Sequence, residues 1–149
     1  MLCRMSMDAA AARALFATAP VARLATVGGD GRPHLVPITF ALDGDTLYTA
    51  VDHKPKRTSR LRRLENVAAN PHVSVLADHF DEQDWSALWW VRADGVARIV
   101  APNDPQRAGL ASLLQARYEE YHRRPPIGPA IVVSILHWSG WRAADAPQG

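Results

Sequence analysis

Six short segments rich in β-branched and apolar residues constrain the fold of this chain more than any other feature. Two turn signals, GGDGR and LDGDT, separate the first three segments. Such glycine-containing joints between apolar runs are typical of antiparallel hairpins. The first third is therefore predicted to be a three-stranded antiparallel meander. The six predicted strands cover residues 21–27, 33–42, 46–51, 72–78, 88–100 and 130–138.

The dipeptide Asp94-Gly95 interrupts the fifth segment and allows two interpretations. It is either a hairpin turn that divides the segment or a bulge within one strand, and we favour the bulge. Six antiparallel strands with few helices favour a barrel, because closure removes exposed strand edges. The predicted fold is therefore mainly β, a six-stranded antiparallel barrel with a few flanking helices.

Three helices are predicted around these strands from cap residues and apolar spacing. The first follows a cap at Ser6 or Asp8, the second begins near Arg60, and the third starts at Asn103 or Asp104. Pro20 is expected to end the first helix. Thr58 or Ser59 is expected to cap the second helix, whose core face is formed by Leu61, Leu64, Val67 and Ala68. Pro105 is the first residue of the predicted third helix, and its apolar stripe consists of Leu110, Leu113, Leu114 and Tyr118.

Length and composition indicate an ordinary globular protein. The chain has 149 residues, 48% of them hydrophobic, which fits one domain over residues 1–149. Cys3 is the sole cysteine, and no apolar run approaches the roughly 18–20 residues of a membrane span. Arg13 interrupts the alanine-rich start, so no signal peptide is expected. We predict a cytoplasmic protein without a disulfide or a membrane partner.

Six cationic side chains fall within ten consecutive residues, and no acidic residue interrupts them. The net charge of the whole chain is only +2, so the positive charge is local. Nucleic-acid-binding proteins usually spread such charge over a face, and we therefore favour a small anionic ligand over nucleic acid. A solvated helix face is the alternative. The six residues are Lys54, Lys56, Arg57, Arg60, Arg62 and Arg63.

Three features favour a bound anion over a solvated face. The first cations precede the predicted helix, whose free N–H groups and dipole attract negative charge. Thr58 and Ser59 add hydroxyl donors. The cluster also follows two strands, VPITF and LYTAV, that can line a slot for a flat ring. A planar head with a phosphate tail fits this arrangement, which describes a flavin-like cofactor.

No other set of residues predicts a site. The histidines lack the paired spacing of metal ligands, and residues 78–84 lack the glycine and distal glutamate of a calcium loop. No metal site is predicted, and the catalytic residues are unknown. The tryptophans fit either a barrel core or a subunit interface with cofactor contact. They are Trp85, Trp89, Trp90, Trp138 and Trp141.

The ordered set of segments resembles the pyridoxamine 5'-phosphate oxidase-like split-barrel family, and within it the deazaflavin-dependent branch that uses coenzyme F420. The resemblance is carried by LATVGGDGRPHLVPITFALDGDTLYTAVDHKPK, LRRLENVAANPHVSVLAD and LWWVRADGVA. With the last strand, these residues cover nearly the whole chain. The resemblance implies a six-stranded split β-barrel that forms a homodimer with two cofactor sites at the subunit interface.

The resemblance also implies the residues of the cofactor site. Residues 36–41 match the strand beside the ring system, and Lys56 matches the phosphate-binding lysine. The carboxy-terminal segment of the partner subunit is expected to close the site. The expected cofactor-binding residues are Val36, Pro37, Ile38, Thr39, Phe40, Tyr48, Thr49, Lys54, Lys56, Arg57, Arg60 and, from the closing segment, Trp138, Trp141 and Arg142.

Two departures from the family pattern bear on the choice of cofactor. Members that use FMN often have an arginine where this chain has Val36, and a glutamine in the segment that matches residues 60–70, which contains none. The missing polar contacts favour coenzyme F420, with FMN as the alternative. Additional cations such as Arg60, Arg62 and Arg63 suit the polyglutamate tail of coenzyme F420.

The resemblance implies an oxidoreductase that transfers a hydride from reduced coenzyme F420 to a small organic acceptor. The cofactor then carries the chemistry, while the protein binds it, orients it and excludes water. The alternatives are an FMN-dependent oxidase or reductase on the same fold and a non-catalytic binder of flavin or haem. The residues do not identify the acceptor. Thr39 and Tyr48 are the hydroxyl groups considered for protonating the product.

Overall fold

The structure is a computed structural model that describes residues 7–51 and 57–145, with the side chains of residues 57–61 excepted. Within these residues, seven strands and four α-helices are present. The strands are β1 (Ala22–Val27), β2 (Pro33–Ile38), β3 (Ala41–Asp43), β4 (Thr46–Ala50), β5 (His72–His79), β6 (Trp89–Val100) and β7 (Ala130–Arg142). The helices are α1 (Ala9–Thr18), α2 (Arg57–Ala69), α3 (Arg107–Arg117) and α4 (Glu120–Arg123), and short 3₁₀ turns cover Trp85–Ala87 and Ala143–Asp145.

The strands form one antiparallel sheet in the order β2-β1-β5-β6-β7-β4-β3. Its two edge strands, β2 and β3, are consecutive in the chain, and Thr39 and Phe40 are the two residues between them. The sheet therefore curls until its two edges meet at this point, which is the geometry of a split barrel. The predicted mainly-β split-barrel fold is confirmed.

The strand predicted over residues 33–42 is divided, so the described residues form seven strands where six were predicted. β2 pairs with β1, with Val36 opposite Leu24, whereas β3 pairs with β4 at the other edge, with Ala41 opposite Tyr48. Both antiparallel pairings of the predicted meander are confirmed, but its middle strand is divided, so that the two pairings lie at opposite edges of the sheet. The chain bends between β2 and β3 because side chains distant in sequence bind the backbone there, as described below.

The inward face of the curled sheet and α1 form the main core. Leu24 and Val91, on β1 and β6, have no exposed surface. Phe16 of α1 packs edge-on against Phe40 and Trp138, with ring centroids 5.0 and 5.5 Å away. Such edge-to-face pairs contribute stability beyond the area they bury. Of the two interpretations of the tryptophans, Trp138 fits the barrel core.

The bulge predicted near Asp94 and Gly95 is confirmed, and β6 continues through both residues. The pairing of β6 with β7 shifts register there: Asp94 faces His137, and Gly95 faces Ile135. The unpaired residue is Leu136, so the extra residue belongs to β7. A Cβ atom at position 95 would lie 2.3 Å from the backbone oxygen of Ser134. Glycine is therefore required for the two strands to approach this closely.

The predicted cap of α1 is confirmed, whereas that of α2 is wrong. The Asp8 carboxylate accepts a hydrogen bond from the Ala11 N–H at 2.8 Å. α2 already begins at Arg57, so Thr58 and Ser59 lie inside the helix. Threonine and serine have only slightly lower helix propensity than alanine, so the helix can continue through both residues.

The inward face of α2 also differs from the prediction at two positions, and the predicted Leu61 lies outside the described side chains. Leu64 and Val67 pack against the core as expected, but Ala68 is exposed and Asn66 is buried. The Asn66 side-chain amide donates a hydrogen bond to the Thr26 hydroxyl at 3.0 Å. That bond compensates the burial of a polar side chain, which a purely apolar pattern does not anticipate.

α3 begins later than predicted because a turn precedes it. The Asp104 carboxylate accepts a hydrogen bond from the Gln106 N–H, and its carbonyl accepts one from the Arg107 N–H, both at 2.9 Å. The predicted apolar stripe is confirmed, with Leu110 and Leu114 buried. Across residues 7–51 and 57–145, no helix is long and apolar enough to span a membrane.

Candidate functional site

The bend between β2 and β3 lies in the middle of the predicted ring-side strand. The Phe40 N–H donates to the Tyr118 hydroxyl at 3.1 Å, and the Phe40 carbonyl accepts from Arg117 Nη1 at 2.7 Å. The Arg117 guanidinium also lies over the Phe40 ring, 4.2 Å from its centroid. Thr39 Oγ1 is 2.6 Å from the Tyr121 hydroxyl. Side chains at the end of α3 therefore satisfy the backbone at the bend, and Tyr121 of α4 contacts the Thr39 side chain.

These supporting residues were not predicted from the sequence. Tyr118 was expected only as an apolar residue, and Arg117 and Tyr121 were not expected to have a role. All three are 77 to 82 residues from the groups that they bind near Phe40. No local pattern near the bend contains a signal for such a contact.

The side chains of the predicted ring-side strand divide into two groups. Ile38 and Phe40 are buried in the core, and Val36 packs partly against it. Pro37 is exposed, and Thr39 is half-buried. Within one subunit, Ile38 and Phe40 thus offer a ligand little side-chain surface.

Tyr48 and Thr49 lie on the neighbouring strand, β4. Tyr48 is opposite Ala41, so the structure brings it beside the end of the ring-side strand. Its ring is half-buried against the second apolar cluster, which includes Leu110 and Val132. Thr49 points the other way and is buried, and its hydroxyl has no hydrogen-bond partner within the described structure. A buried hydroxyl without a partner is unusual in a folded protein.

The basic cluster is described only in its last part. Lys54 and Lys56 lie outside the described residues, and so do the side chains of Arg57 and Arg60. α2 begins at Arg57, directly after the two lysines.

The described end of the cluster faces β2. His34 lies opposite Thr26, to which Asn66 of α2 is bonded, so this face of α2 lies over His34. Arg62 and Arg63 precede Asn66 by about one helical turn. Burial lowers the pKa of His34, and the positive charges of Arg62 and Arg63 lower it further.

The cations beside His34 are not neutralised by the described residues. Neither Arg62 nor Arg63 forms a salt bridge with a carboxylate of the described chain. Arg63 Nε and His34 Nδ1 are buried and have no hydrogen-bond partner there. Burial also lowers the pKa of the Arg63 guanidinium. The result is a region of positive potential whose counter-ion is not supplied by these residues, and His34 was not predicted as part of it.

The predicted closing residues lie at the opposite end of β7. Tyr48 is opposite Val132, whereas Trp141 is nine residues further along β7, which corresponds to about 30 Å of strand. Arg142 donates from Nε to Asp145 at 3.0 Å, and Trp141 is half-buried. Trp138 is a core residue whose Nε1 donates to Asp45 at 3.0 Å. One subunit thus does not bring these residues to Tyr48.

An apolar surface lies on the outward face of the curled sheet. Leu35 on β2 and Leu136 on β7 are 66% and 74% exposed, and Leu76 on β5 is also exposed. Leu136 also lines a depression of about 360 Å³ that includes Ala25 and Val27 of β1. Large exposed apolar patches are typical of surfaces that bind another molecule. Among residues 7–51 and 57–145, no three histidine, cysteine or acidic side chains converge as a metal site.

Comparison with known proteins gives a family and a fold. The family model described as "Pyridoxamine 5'-phosphate oxidase" matches residues 9–142. A 5a,11a-dehydrotetracycline/5a,11a-dehydrooxytetracycline reductase from Streptomyces rimosus is 31% identical over 85 residues. That match covers 57% of this chain and 58% of the reductase, so the chain aligns with little more than half of that relative.

Two solved structures share the fold at low sequence identity. A conserved hypothetical protein from Mycobacterium tuberculosis superimposes with a TM-score of 0.75 at 20% identity. The superposition covers 100% of this chain and 94% of the mycobacterial chain. A FAD-binding protein from Mesorhizobium loti gives a TM-score of 0.69 at 20% identity, covering 90% and 94% of the two chains. At this identity, the likeness supports the fold alone.

Proposed function

The chain belongs to the pyridoxamine 5'-phosphate oxidase family, and on that basis we propose that it is a homodimeric oxidoreductase that transfers a hydride from reduced coenzyme F420 to a small organic acceptor. FMN is the alternative cofactor. The related reductase from Streptomyces rimosus supports the direction of the reaction, since its name describes the reduction of an organic molecule.

The observation that carries the choice of cofactor is the positive region on α2. Arg62 and Arg63 have no acidic partner among the described residues, and they raise the potential at His34. They lie one to two helical turns beyond Arg57, where α2 begins. A single phosphate at the start of the helix leaves these later cations without a counter-ion. A cofactor with a longer anionic tail supplies one.

The residues fit such a cofactor in the following roles. Lys56, with Lys54 and Arg57, holds the phosphate group, and Arg60, Arg62 and Arg63 attract the tail. The backbone of residues 36–40 borders the ring system. When bound, reduced coenzyme F420 supplies the hydride, and the protein orients it and excludes water.

The position of the closing residues supports the proposed homodimer. Trp141 and Arg142 are about 30 Å along β7 from the level of Tyr48. They reach a cofactor beside Tyr48 only if a second copy of the chain provides them. The exposed leucines of the outward face give that copy an apolar surface to bind.

Two titrations of the cofactor-free protein test the proposed cofactor. FMN and coenzyme F420 are each added at low and at high salt, and binding is followed by tryptophan fluorescence. We expect coenzyme F420 to bind more tightly at low salt. Its advantage should shrink at high salt, because exposed charges are screened beyond about 8 Å at physiological ionic strength.

A double variant, Arg62→Gln with Arg63→Gln, provides the matched test. Arg62 is exposed and Arg63 is half-buried. An exposed ion pair contributes ~0–1 kcal/mol, and a half-buried one is screened less, so the variant should lose about tenfold or more in affinity for coenzyme F420 and little for FMN. Arg123→Gln, an exposed arginine on α4, is the control. Tighter binding of FMN at both salt concentrations contradicts the assignment of coenzyme F420, and a haem spectrum of the purified protein contradicts the flavin-type cofactor altogether.

A further inference from the structure

A pocket of about 320 Å³ lies between α3 and the outward face of β4 and β6. Its apolar lining includes Leu110 and Leu113 of α3. Its polar lining residues are Tyr48, Arg98 and Gln106, and Gly109 also borders it. An apolar pocket with a few convergent polar groups is the usual form of a small-molecule site, and this volume is at the lower end of the range.

The charge of Arg98 is held at this pocket without being neutralised. Its Nη2 donates to the Gln106 side-chain oxygen at 3.1 Å, which fixes the guanidinium beside α3. No carboxylate of the described chain forms a salt bridge with it. A guanidinium has five N–H donors in a planar fork, so several of them remain for a carboxylate ligand.

Tyr48 offers a second polar group to the same space. Its ring is anchored against the buried residues Val100 and Val132. Its hydroxyl has no hydrogen-bond partner among residues 7–51 and 57–145. Because the ring is already held in place, its hydroxyl can form a hydrogen bond to a ligand with little loss of side-chain entropy.

Gly109 is the observation that points to an occupant. It lies within α3, where glycine is less favourable than alanine. Its φ is negative, and no heavy atom lies within 4 Å of the position that a Cβ would take. The described fold therefore supplies no steric reason for glycine. Close approach of a bound molecule to the backbone of α3 supplies one.

We propose that this pocket binds a small, flat, largely apolar molecule through a carboxylate group. The carboxylate pairs with Arg98, the Tyr48 hydroxyl donates to a ligand oxygen, and the apolar body lies on Leu110 and Leu113 beside Gly109. Tyr48 is next to Thr49 and opposite Ala41, at the proposed cofactor site. Assigning the ligand as the hydride acceptor rests on the proposed function, whereas the binding site itself does not.

Calorimetric titration of trans-cinnamate, a flat carboxylate, into the cofactor-free protein tests the site. Wild type should bind it, and Arg98→Met should raise Kd by about tenfold or more, tenfold being about 1.4 kcal/mol. Cinnamyl alcohol, which lacks the charge, should bind wild type and Arg98→Met equally. The control is Arg32→Met, which removes an exposed arginine paired with Asp30 and should leave both affinities unchanged.

Gly109 provides a second, independent variant. Gly109→Leu extends a side chain into the open space and should abolish binding of both compounds, while retaining the circular dichroism spectrum of wild type. Gly109→Ala should raise Tm slightly, since alanine is the better helix former. The proposal is overturned if wild type fails to bind cinnamate, or if Arg98→Met and Arg32→Met have the same Kd.

The cofactor titrations contain no cinnamate, and the cinnamate titrations contain no cofactor. A protein that binds coenzyme F420 or FMN but not cinnamate therefore refutes this pocket alone. A protein that binds cinnamate at Arg98 but neither cofactor refutes the proposed function and leaves the pocket intact.

Discussion

At His34 and Arg63, the chain places hydrogen-bond donors and positive charge together without an acidic neighbour among the described residues. His34 Nδ1 and Arg63 Nε are both buried and without a partner there. Leaving a buried polar group unsatisfied costs about 1–3 kcal/mol. Such a cost in the free protein is typical of residues retained for binding rather than for stability.

The lowered pKa of His34 predicts a pH dependence of stability. In the unfolded chain, the imidazole has its ordinary pKa of about 6.5, whereas burial and the two arginines lower the pKa in the folded protein. Below about pH 6.5 the unfolded state therefore binds more protons at His34, so the free energy of unfolding falls as the pH falls. Above that pH this contribution is constant.

The measurement is urea unfolding of wild type and His34→Gln between pH 5 and pH 8. The substitution should reduce the loss of stability on the acid side and leave the slope above pH 7 unchanged. The matched control is His79→Gln, which removes an exposed histidine at the end of β5. An equal acid-side loss in wild type and His34→Gln would rule out His34 as its source.

At the scale of elements, the bend between β2 and β3 depends on the end of α3. Arg117 donates to the carbonyl of Phe40 and to the carbonyls of Ala17 and Ala19. Ala17 lies in the last turn of α1, and Ala19 follows that helix. The Tyr118 hydroxyl accepts from Phe40 and donates to the Pro20 carbonyl. Two residues of one helix end thus join the first helix to the edge of the sheet.

Arg117→Met should destabilise the protein by about 2–3 kcal/mol, since hydrogen bonds that involve a charged group contribute about 1.5–3 kcal/mol. Methionine retains much of the apolar contact with Phe40 but none of the donors. Urea unfolding measures the change. Arg123→Met is the control, and it should cost less than about 1 kcal/mol because its ion pairs are exposed. Equal losses for the two variants would contradict a structural role for Arg117 at the bend.

The register of β6 and β7 gives a second prediction at this scale. In Gly95→Ala, the new Cβ would lie 2.3 Å from the Ser134 oxygen, so the strands must separate. Such overpacking typically costs about 1–3 kcal/mol. Gly29→Ala, with no heavy atom within 4 Å of its Cβ position, should change stability by less than about 0.5 kcal/mol. Thermal unfolding of both variants checks the difference, and a neutral Gly95→Ala would mean that the bulge tolerates a side chain.

For the molecule as a whole, the proposed site requires two copies of the chain. The closing residues and Tyr48 lie at different ends of β7, and the outward face of the sheet exposes leucines on three strands. Obligate dimers usually bury about 2,000 Å² or more, with an apolar interface. The outward face has the composition for that role.

Sedimentation at micromolar concentration should therefore give twice the chain mass of 16.4 kDa. Leu136→Asp should shift the protein toward monomer and weaken cofactor binding together, because it places a charge in the proposed interface. Ile127→Asp, which changes an equally exposed residue outside the sheet, should leave the dimer intact. A monomeric wild type would refute both the dimer and the shared site.

Features that depend on neighbouring residues were determined by the sequence. Strand positions follow from alternating side chains and turn glycines, and the Asp8 cap and the bulge at Gly95 also depend on local chemistry. For this reason the mainly-β antiparallel class, the first helix and most strand boundaries agree with the structure. The apolar stripe of α3 agrees for the same reason, since it is a repeat within one helix.

Features that depend on distant residues were decided only by the tertiary structure. The strand over residues 33–42 divides because Arg117 and Tyr118, more than 70 positions away, bind the backbone of Phe40. Asn66 is buried because its partner, Thr26, lies 40 positions earlier. Backbone groups at the bend and polar groups in the core need hydrogen-bond partners, and folding alone decides which residues supply them.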